Sequence, residues 1–250
     1  ILIGAIGISA CNSDNEATLK IRLTDAPADY DAVNIDIQGL EVLFSESGDS
    51  KIEGVETAMD LAKPGVYNLL EFNNGLDMLL AESEFKTGTL SQIRLILGSN
   101  NTVVKNNETF NLTTPSAQQS GLKLKVNQKL EEGITYNMWL DFDAARSIVT
   151  TGSNKYILKP TIRVFTEATS GAVKGSISPV APAHLMLIAG TDTLGTIAAD
   201  GGNFLFKGVA AGTYKFVAEA TGYQKLEKAD VVVVNGATKD LGVVTLTAVK

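Results

Sequence analysis

Ala17-Thr18-Leu19-Lys20-Ile21-Arg22-Leu23-Thr24 places leucine or isoleucine at odd positions 19 to 23 and a polar residue at every even one. A period of two belongs to a strand with one buried face and one wet face. Reading onward, Val33, Ile35 and Ile37 keep the odd phase, whereas Leu40, Val42 and Phe44 are even. A one-residue phase change inside one run predicts a bulge near Gln38-Gly39, because otherwise half of the apolar set would face water. The same alternation recurs at Ile93-Leu95-Leu97, Leu122-Leu124-Val126 and Ile134-Tyr136-Met138-Leu140-Phe142. A further strand covers Tyr156 to Phe165, where Pro160 requires an edge or a bend. Leu69 to Leu80 lacks the alternation and predicts a short helix, broken near Asn74-Gly75. Asp143 can cap a second short turn over Ala144 to Ile148.

Around Glu167-Ala168-Thr169-Ser170-Gly171 the residues become small and polar, and the charge balance changes. Residues 170–250 hold seven lysines against six carboxylates; the preceding part holds 14 basic against 22 acidic residues. A domain boundary is placed there. The second block contains seven short strands, at 172–178, 183–189, 193–199, 203–207, 213–219, 230–235 and 241–247, separated by Gly-rich turns. That spacing predicts a small antiparallel sandwich.

The chain carries 28 Asp and Glu against 21 Lys and Arg, a net charge of −7. So acidic a surface repels phosphate backbones, which argues against nucleic acid as a partner. With one histidine and one cysteine, no disulfide and no Cys/His zinc cluster can form, and a Ser-His-Asp triad could use only His184. No phosphate-binding loop or dinucleotide fingerprint is present, so no cofactor is expected.

Residues 1–10, ILIGAIGISA, are wholly apolar or small and are followed at once by Cys11. Ten such residues are too few to span a bilayer as a helix but suit the apolar segment of a signal peptide. Ile8-Ser9-Ala10-Cys11 resembles the lipobox of bacterial lipoproteins. That resemblance implies lipidation of Cys11 and an anchor worth about 0.8 kcal/mol per buried methylene. Residues 11–16 read as the lipidated, acidic tether, similar to the signals that some Gram-negative lineages use to send lipoproteins to the cell surface.

The body of the first block, residues 17–168, resembles the domain of unknown function 4382 family of envelope lipoproteins. The matching residues are Leu23-Thr24-Asp25-Ala26-Pro27-Ala28-Asp29, Gln92-Ile93-Arg94-Leu95-Ile96-Leu97 and Pro115-Ser116 before Gly121-Leu122-Lys123-Leu124. Leu140-Asp141-Phe142-Asp143-Ala144 and Leu158-Lys159-Pro160 complete the set. The resemblance implies an all-β envelope domain and carries no residue roles. Residues 169–250 are similar to the carboxypeptidase-regulatory-like module, a transthyretin-type sandwich. The similarity lies in Asp200-Gly201-Gly202-Asn203-Phe204-Leu205-Phe206, Val209, Gly212-Thr213-Tyr214 and Gly222-Tyr223. Such modules are non-catalytic spacers or binders, and the motif specifies a fold without specifying a ligand.

Candidate sites follow from residue chemistry. Asp25, Asp29 and Asp31, with Asp36 beyond, could supply hard oxygen ligands to a structural calcium ion, although Asp beside Pro is also ordinary turn chemistry. Asp141 and Asp143 flank Phe142 on one face of a strand, as paired acid/base carboxylates would, while Asp143 also suits a helix cap. Trp139, Tyr136 and Tyr156 could stack on sugar faces, but Trp139 and Tyr136 lie out of phase on one strand. Arg94 could pair with an aspartate of the first block. His184 opens a strand as a lone histidine. Asn100, Asn107 and Asn111 stand in glycosylation-type triplets that also suit turns.

The expected molecule is all-β: two antiparallel sandwich-like domains in tandem, with a short helix in the first. It is expected to be a non-catalytic binding or adhesion protein on the outer membrane, at the cell surface or the periplasmic face, recognising carbohydrate or another envelope component. The alternative is a scaffold or assembly subunit that accepts a protein partner along its edge strands.

Overall fold

The computed structural model describes residues 16–46, 54–114, 120–151, 155–198 and 201–249. Cys11, the apolar run before it and Pro115-Ser116 lie outside the described residues. The strands of the first half are β1 (Ala17–Ala26), β2 (Ala32–Ser45), β3 (Val55–Met59), β4 (Gly65–Asn68), β5 (Met78–Phe85) and β6 (Gly88–Leu97). They continue with β7 (Thr102–Lys105), β8 (Glu108–Thr113), β9 (Leu122–Leu130) and β10 (Thr135–Asp143). A single helical turn, α1 (Ala144–Ser147), leads to β11 (Ile148–Thr151), β12 (Lys155–Leu158) and β13 (Ile162–Thr166).

Two sheets pack face to face. The smaller has the order β13-β10-β1-β5; the larger runs β11-β12-β8-β7-β2-β6-β9, with β3 and β4 also paired to β2. Leu19, Ile21 and Leu23 of β1 meet Ile35, Ile37, Leu40 and Val42 of β2 in one core, all 0–1% exposed. The bulge lies where the phase change puts it: the register with β6 shifts between Ile37 and Gly39, and Gln38 turns outward. That shift lets both halves of β2 bury their apolar residues. The single strand expected over Tyr156 to Phe165 is corrected to two: at Pro160 the chain changes sheets, β12 belonging to the larger and β13 to the smaller, which is how a residue without an N–H is placed outside both ladders.

The helix expected over Leu69 to Leu80 is corrected. Leu69–Phe72 makes one 3-10 turn capped by the Asn68 side chain, and Met78–Phe85 is strand. The turn ends at Asn73, which is extended, and Asn74 (φ 52°) and Gly75 (φ 80°) then take left-handed conformations that reverse the chain. Ala144–Ser147 does form a short helical turn, α1, with Asp143 Oδ1 accepting the Arg146 N–H at 2.9 Å.

The second domain has β14 (Gly171–Ser178), β15 (Ala183–Ala189), β16 (Asp192–Ile197), β17 (Asn203–Val209), β18 (Gly212–Ala220), β19 (Leu226–Val233) and β20 (Thr238–Thr245). They form a three-stranded sheet, β17-β14-β20, against a four-stranded one, β16-β15-β18-β19. Phe204, Phe206 and Phe216 pack against one another between them. The sheets are rich in antiparallel pairs, but β1 with β10, β8 with β12 and β14 with β20 run parallel. These parallel pairs join segments far apart in sequence, and local alternation carries no sign of their direction.

Candidate functional site

Strand β10 has two working faces. Met138, Leu140 and Phe142 enter the core, whereas Trp139, Asp141 and Asp143 point from the other side of the small sheet toward β16 and β17. Trp139 is only 5% exposed. One face of its indole lies on Phe165 of β13, at 5.5 Å and 7°. The Lys207 ammonium of β17 stands 5.8 Å from its centroid, and the Arg163 guanidinium 5.2 Å from Phe165. The two stacked rings thus form a short column with a cation over each, and each contact adds to simple area burial. Gly208 makes the close approach possible: at φ 63°, a Cβ there would sit 2.4 Å from the Phe165 ring.

Asp77 sits beside this column. Its Oδ1 accepts from Arg22 of β1 at 2.5 Å, and its Oδ2 accepts from Trp139 Nε1 at 2.9 Å and from Lys207 Nζ at 3.0 Å. Burial works against its charge, but the hydrogen bonds from Trp139, Lys207 and Arg22 outweigh it and hold the carboxyl below its ordinary value. Arg163 donates to Asp141 and to the carbonyl of Gly208. Arg146, paired with Asp143, donates to the carbonyl of Thr193 at 3.2 Å. Asn74 acts as a one-residue strand against the outer edge of β17: its Oδ1 accepts the Leu205 N–H at 2.8 Å and its amide donates to the Asn203 carbonyl at 3.3 Å.

Two clefts flank this contact. One, lined by Asp25, Asp141, Asp143, Arg146 and Arg163, encloses about 130 Å³; the other, beside Trp139, Phe165, Glu167 and Lys207, about 280 Å³. Both fall below the roughly 300–1,000 Å³ of ordinary small-molecule sites. Burial pushes the Asp25 carboxyl well above the usual carboxylate range, with Asp141 and Asp143 adding to the rise and the Ala144 N–H opposing it. Its Oδ1 accepts that N–H at 3.0 Å, while Oδ2 is buried without a partner among the described residues. Asp141 and Asp143 are committed to arginines.

The candidates named from sequence are not brought together. Asp29 and Asp31 are exposed, Asp31 accepting from the Asn107 N–H, and Asp25 points elsewhere. Asp36 is buried under Gln38 and the Asn100 N–H. Among the described residues, no three His, Cys, Asp or Glu side chains gather around a metal-sized space, so the expected calcium trio does not converge. Tyr136 packs on the first core and accepts from the Glu131 N–H, and Tyr156 packs at a tilt against Phe110, 4.9 Å between ring centroids. With Trp139 under the second domain, the aromatic platform is not assembled. Arg94 pairs with Glu41 and Glu56 across the large sheet rather than with an aspartate. Asn101 is buried in a turn, bonded to Asp36 and Gly98, and His184 is exposed on β15. Asp77, Lys207, Arg22 and Phe165 carry the junction without any local signal, because their partners lie up to 130 positions away.

The edges at β9, β19 and β20 are blunted. Lys123, Lys125 and Lys129 are exposed along β9, Asp230 (φ 58°) kinks β19 and Gly242 (φ 66°) kinks β20. Charges and bulges of this kind discourage strand addition. On the second domain, Val232, Val234 and Val243 stand outward, 52–67% exposed.

Residues 16–160 match the family profile described as a domain of unknown function (DUF4382), and residues 168–247 match the carboxypeptidase regulatory-like domain. No curated protein matches the chain. Among solved structures, a cohesin–X-dockerin complex of Acetivibrio cellulolyticus is 27% identical over 31% of this chain and 58% of its own, with a TM-score of 0.27. The minor pilin GBS52 of Streptococcus agalactiae is 14% identical over 92% of this chain and 96% of its own (TM-score 0.26). A fimbrial protein of Bacteroides ovatus is 8% identical over 96% and 52% (TM-score 0.25). The chain belongs to the domain of unknown function 4382 family, and a carboxypeptidase regulatory-like domain follows its family domain.

Proposed function

We propose that this protein is a non-catalytic binding protein of the cell envelope, anchored by lipid at Cys11, whose partner is a protein. The observation that carries the reading is the occupied indole of Trp139. Only 5% of the residue is exposed, with Phe165 stacked on the ring and the Lys207 ammonium over it, and the tyrosines that could have joined it pack on the first core. Sugar recognition by stacking needs a free ring face. What the two domains leave open are broad sheet faces and the outward valines of the second domain, surfaces on the scale of a protein interface. The junction would hold that second domain at a fixed attitude above the membrane.

The test pairs two assays on the whole chain. Cross-linking in intact envelopes, followed by reconstitution with the purified captured protein, is expected to give saturable binding that Val232→Asp with Val243→Asp abolishes. Selective, competable binding on a polysaccharide array without any reconstituted protein complex would overturn the reading. The anchor is read separately: a Cys11→Ala variant loses label in cells fed a lipid precursor, and retained label would remove it.

A further inference from the structure

The first and last strands of the second domain are neighbours and run parallel: β14 pairs with β20 in six register positions, from Ala172 opposite Thr238 to Ser178 opposite Thr245. The chain therefore enters β14 at one end of this ladder and leaves β20 at the other. A pull on the two ends of the domain slides the strands along each other, and all the rungs share the load. If the ends emerged on the same side, the rungs would open one at a time, each resisting with only the modest free energy of a single hydrogen bond.

The surroundings suit this use. The bulge at Gly242 divides the ladder into two blocks of three rungs, Ala172 to Lys174 and Ser176 to Ser178. Val173, Ile177, Leu241 and Val244 seal its inner side at 0–8% exposure, so water has poor access to a bond that opens. The ladder is extended at both ends, by Ala172 N–H to the Ala237 carbonyl at 2.9 Å and Leu246 N–H to the Ser178 carbonyl at 2.8 Å. Upstream, Asp77 connects β1, where the described chain begins, to Lys207 on β17, the other neighbour of β14. The first domain is built differently. Thr18 of β1 stands opposite Thr135 and Thr166 of β13 opposite Met138, so its two outlets lie toward the same end of β10.

We propose that the second domain is a tension-bearing element, with the β14–β20 pair as its clamp. Its purpose rests on the display reading above; its test does not. In a Cys11→Ser background, single chains are pulled between handles at Glu16→Cys and Val249→Cys, which shears the pair. They are also pulled between Ala168→Cys and Asn235→Cys, which opens it from one end. The second domain identifies itself by the contour it releases at some 3.3 Å per residue, about 250 Å for residues 171–245 in the first geometry and about 220 Å for residues 168–235 in the second. The expected rupture force in the first geometry is about twice that in the second or more, as load sharing over several hydrogen bonds requires. Equal forces, or a weaker domain in the first geometry, would overturn the clamp and leave the binding reading intact. Failure of the binding assays would in turn leave the force ratio standing.

Discussion

The two faces of β10 solve different problems. Met138, Leu140 and Phe142 are apolar, fill the first core and are at most 2% exposed. Trp139, Asp141 and Asp143, one position out of phase, hold a second domain through rings, guanidinium groups and one shared carboxylate. The first face makes a domain; the second orients its neighbour. The lesson is that a polar side of a strand need not be a wet side. Where carboxylates lie beside a tryptophan on such a face, a covering partner within the same chain explains both.

The sharpest way to break that comparison is to damage one face at a time. Phe142→Ala empties a site that is 0% exposed and should cost about 3–5 kcal/mol, seen as a large loss in the urea midpoint of the first domain. Asp77→Ala should cost less, about 1–2 kcal/mol given its partial exposure. It leaves Arg22 and Lys207 without their counter-ion and should split a single calorimetric transition into two as the domains uncouple. A single undivided transition in that variant would mean that the ring column alone holds the junction. Asn74→Ala removes two hydrogen bonds to β17 and should cost about 1 kcal/mol, with amide exchange at Leu205 accelerated before any other position in the sheet.

The pH response sharpens the same contrast. Asp77 lies below its ordinary value, so its contribution is present above that ordinary value and is lost as pH falls through the lowered one. The junction should stay closed in mild acid and part only in stronger acid. Asp25 lies above its ordinary value, so its contribution is complete below that value and is lost as pH rises through the raised one. Asp25→Asn should therefore raise Tm at neutral pH by about 2–4 °C, what 1 kcal/mol amounts to in a chain of this size. A lower Tm would show that the carboxyl is ionised and stabilised in place. The smallest effect concerns calcium: with Asp25, Asp29 and Asp31 apart, Tm should be the same in calcium and in chelator, and a calcium-dependent rise would show a site elsewhere.

Much of the fold could be read locally. The phase change across Gln38-Gly39 and the cap at Asp143 each involve a few adjacent residues, and each appears where alternation or side-chain chemistry puts it, whereas Pro160 divides two sheets instead of bending one strand. The stretch from Leu69 was misread because its leucines serve two elements. Leu69 closes a turn and Leu80 a strand, both 0% exposed, with a left-handed reversal between them. The junction was not legible at all. Trp139 can be read only as one candidate stacking ring and Asp141 as one half of a carboxylate pair, since nothing near them in sequence announces Lys207, Phe165 or Gly208 as their covers. Such pairings are decided by how two finished sheets meet.

The single amide of Asn74 has a consequence for how this family domain and its neighbour can be recombined. Seen along the sequence, the two are cleanly separable modules, with 160 and 168 as the limits of the two profiles. Seen along β17, they are not, because the last strand of one sheet is completed by a side chain from the other domain. A second domain transplanted onto another carrier would arrive with an unsealed border, and a carrier lacking an amide at that height would have to evolve one.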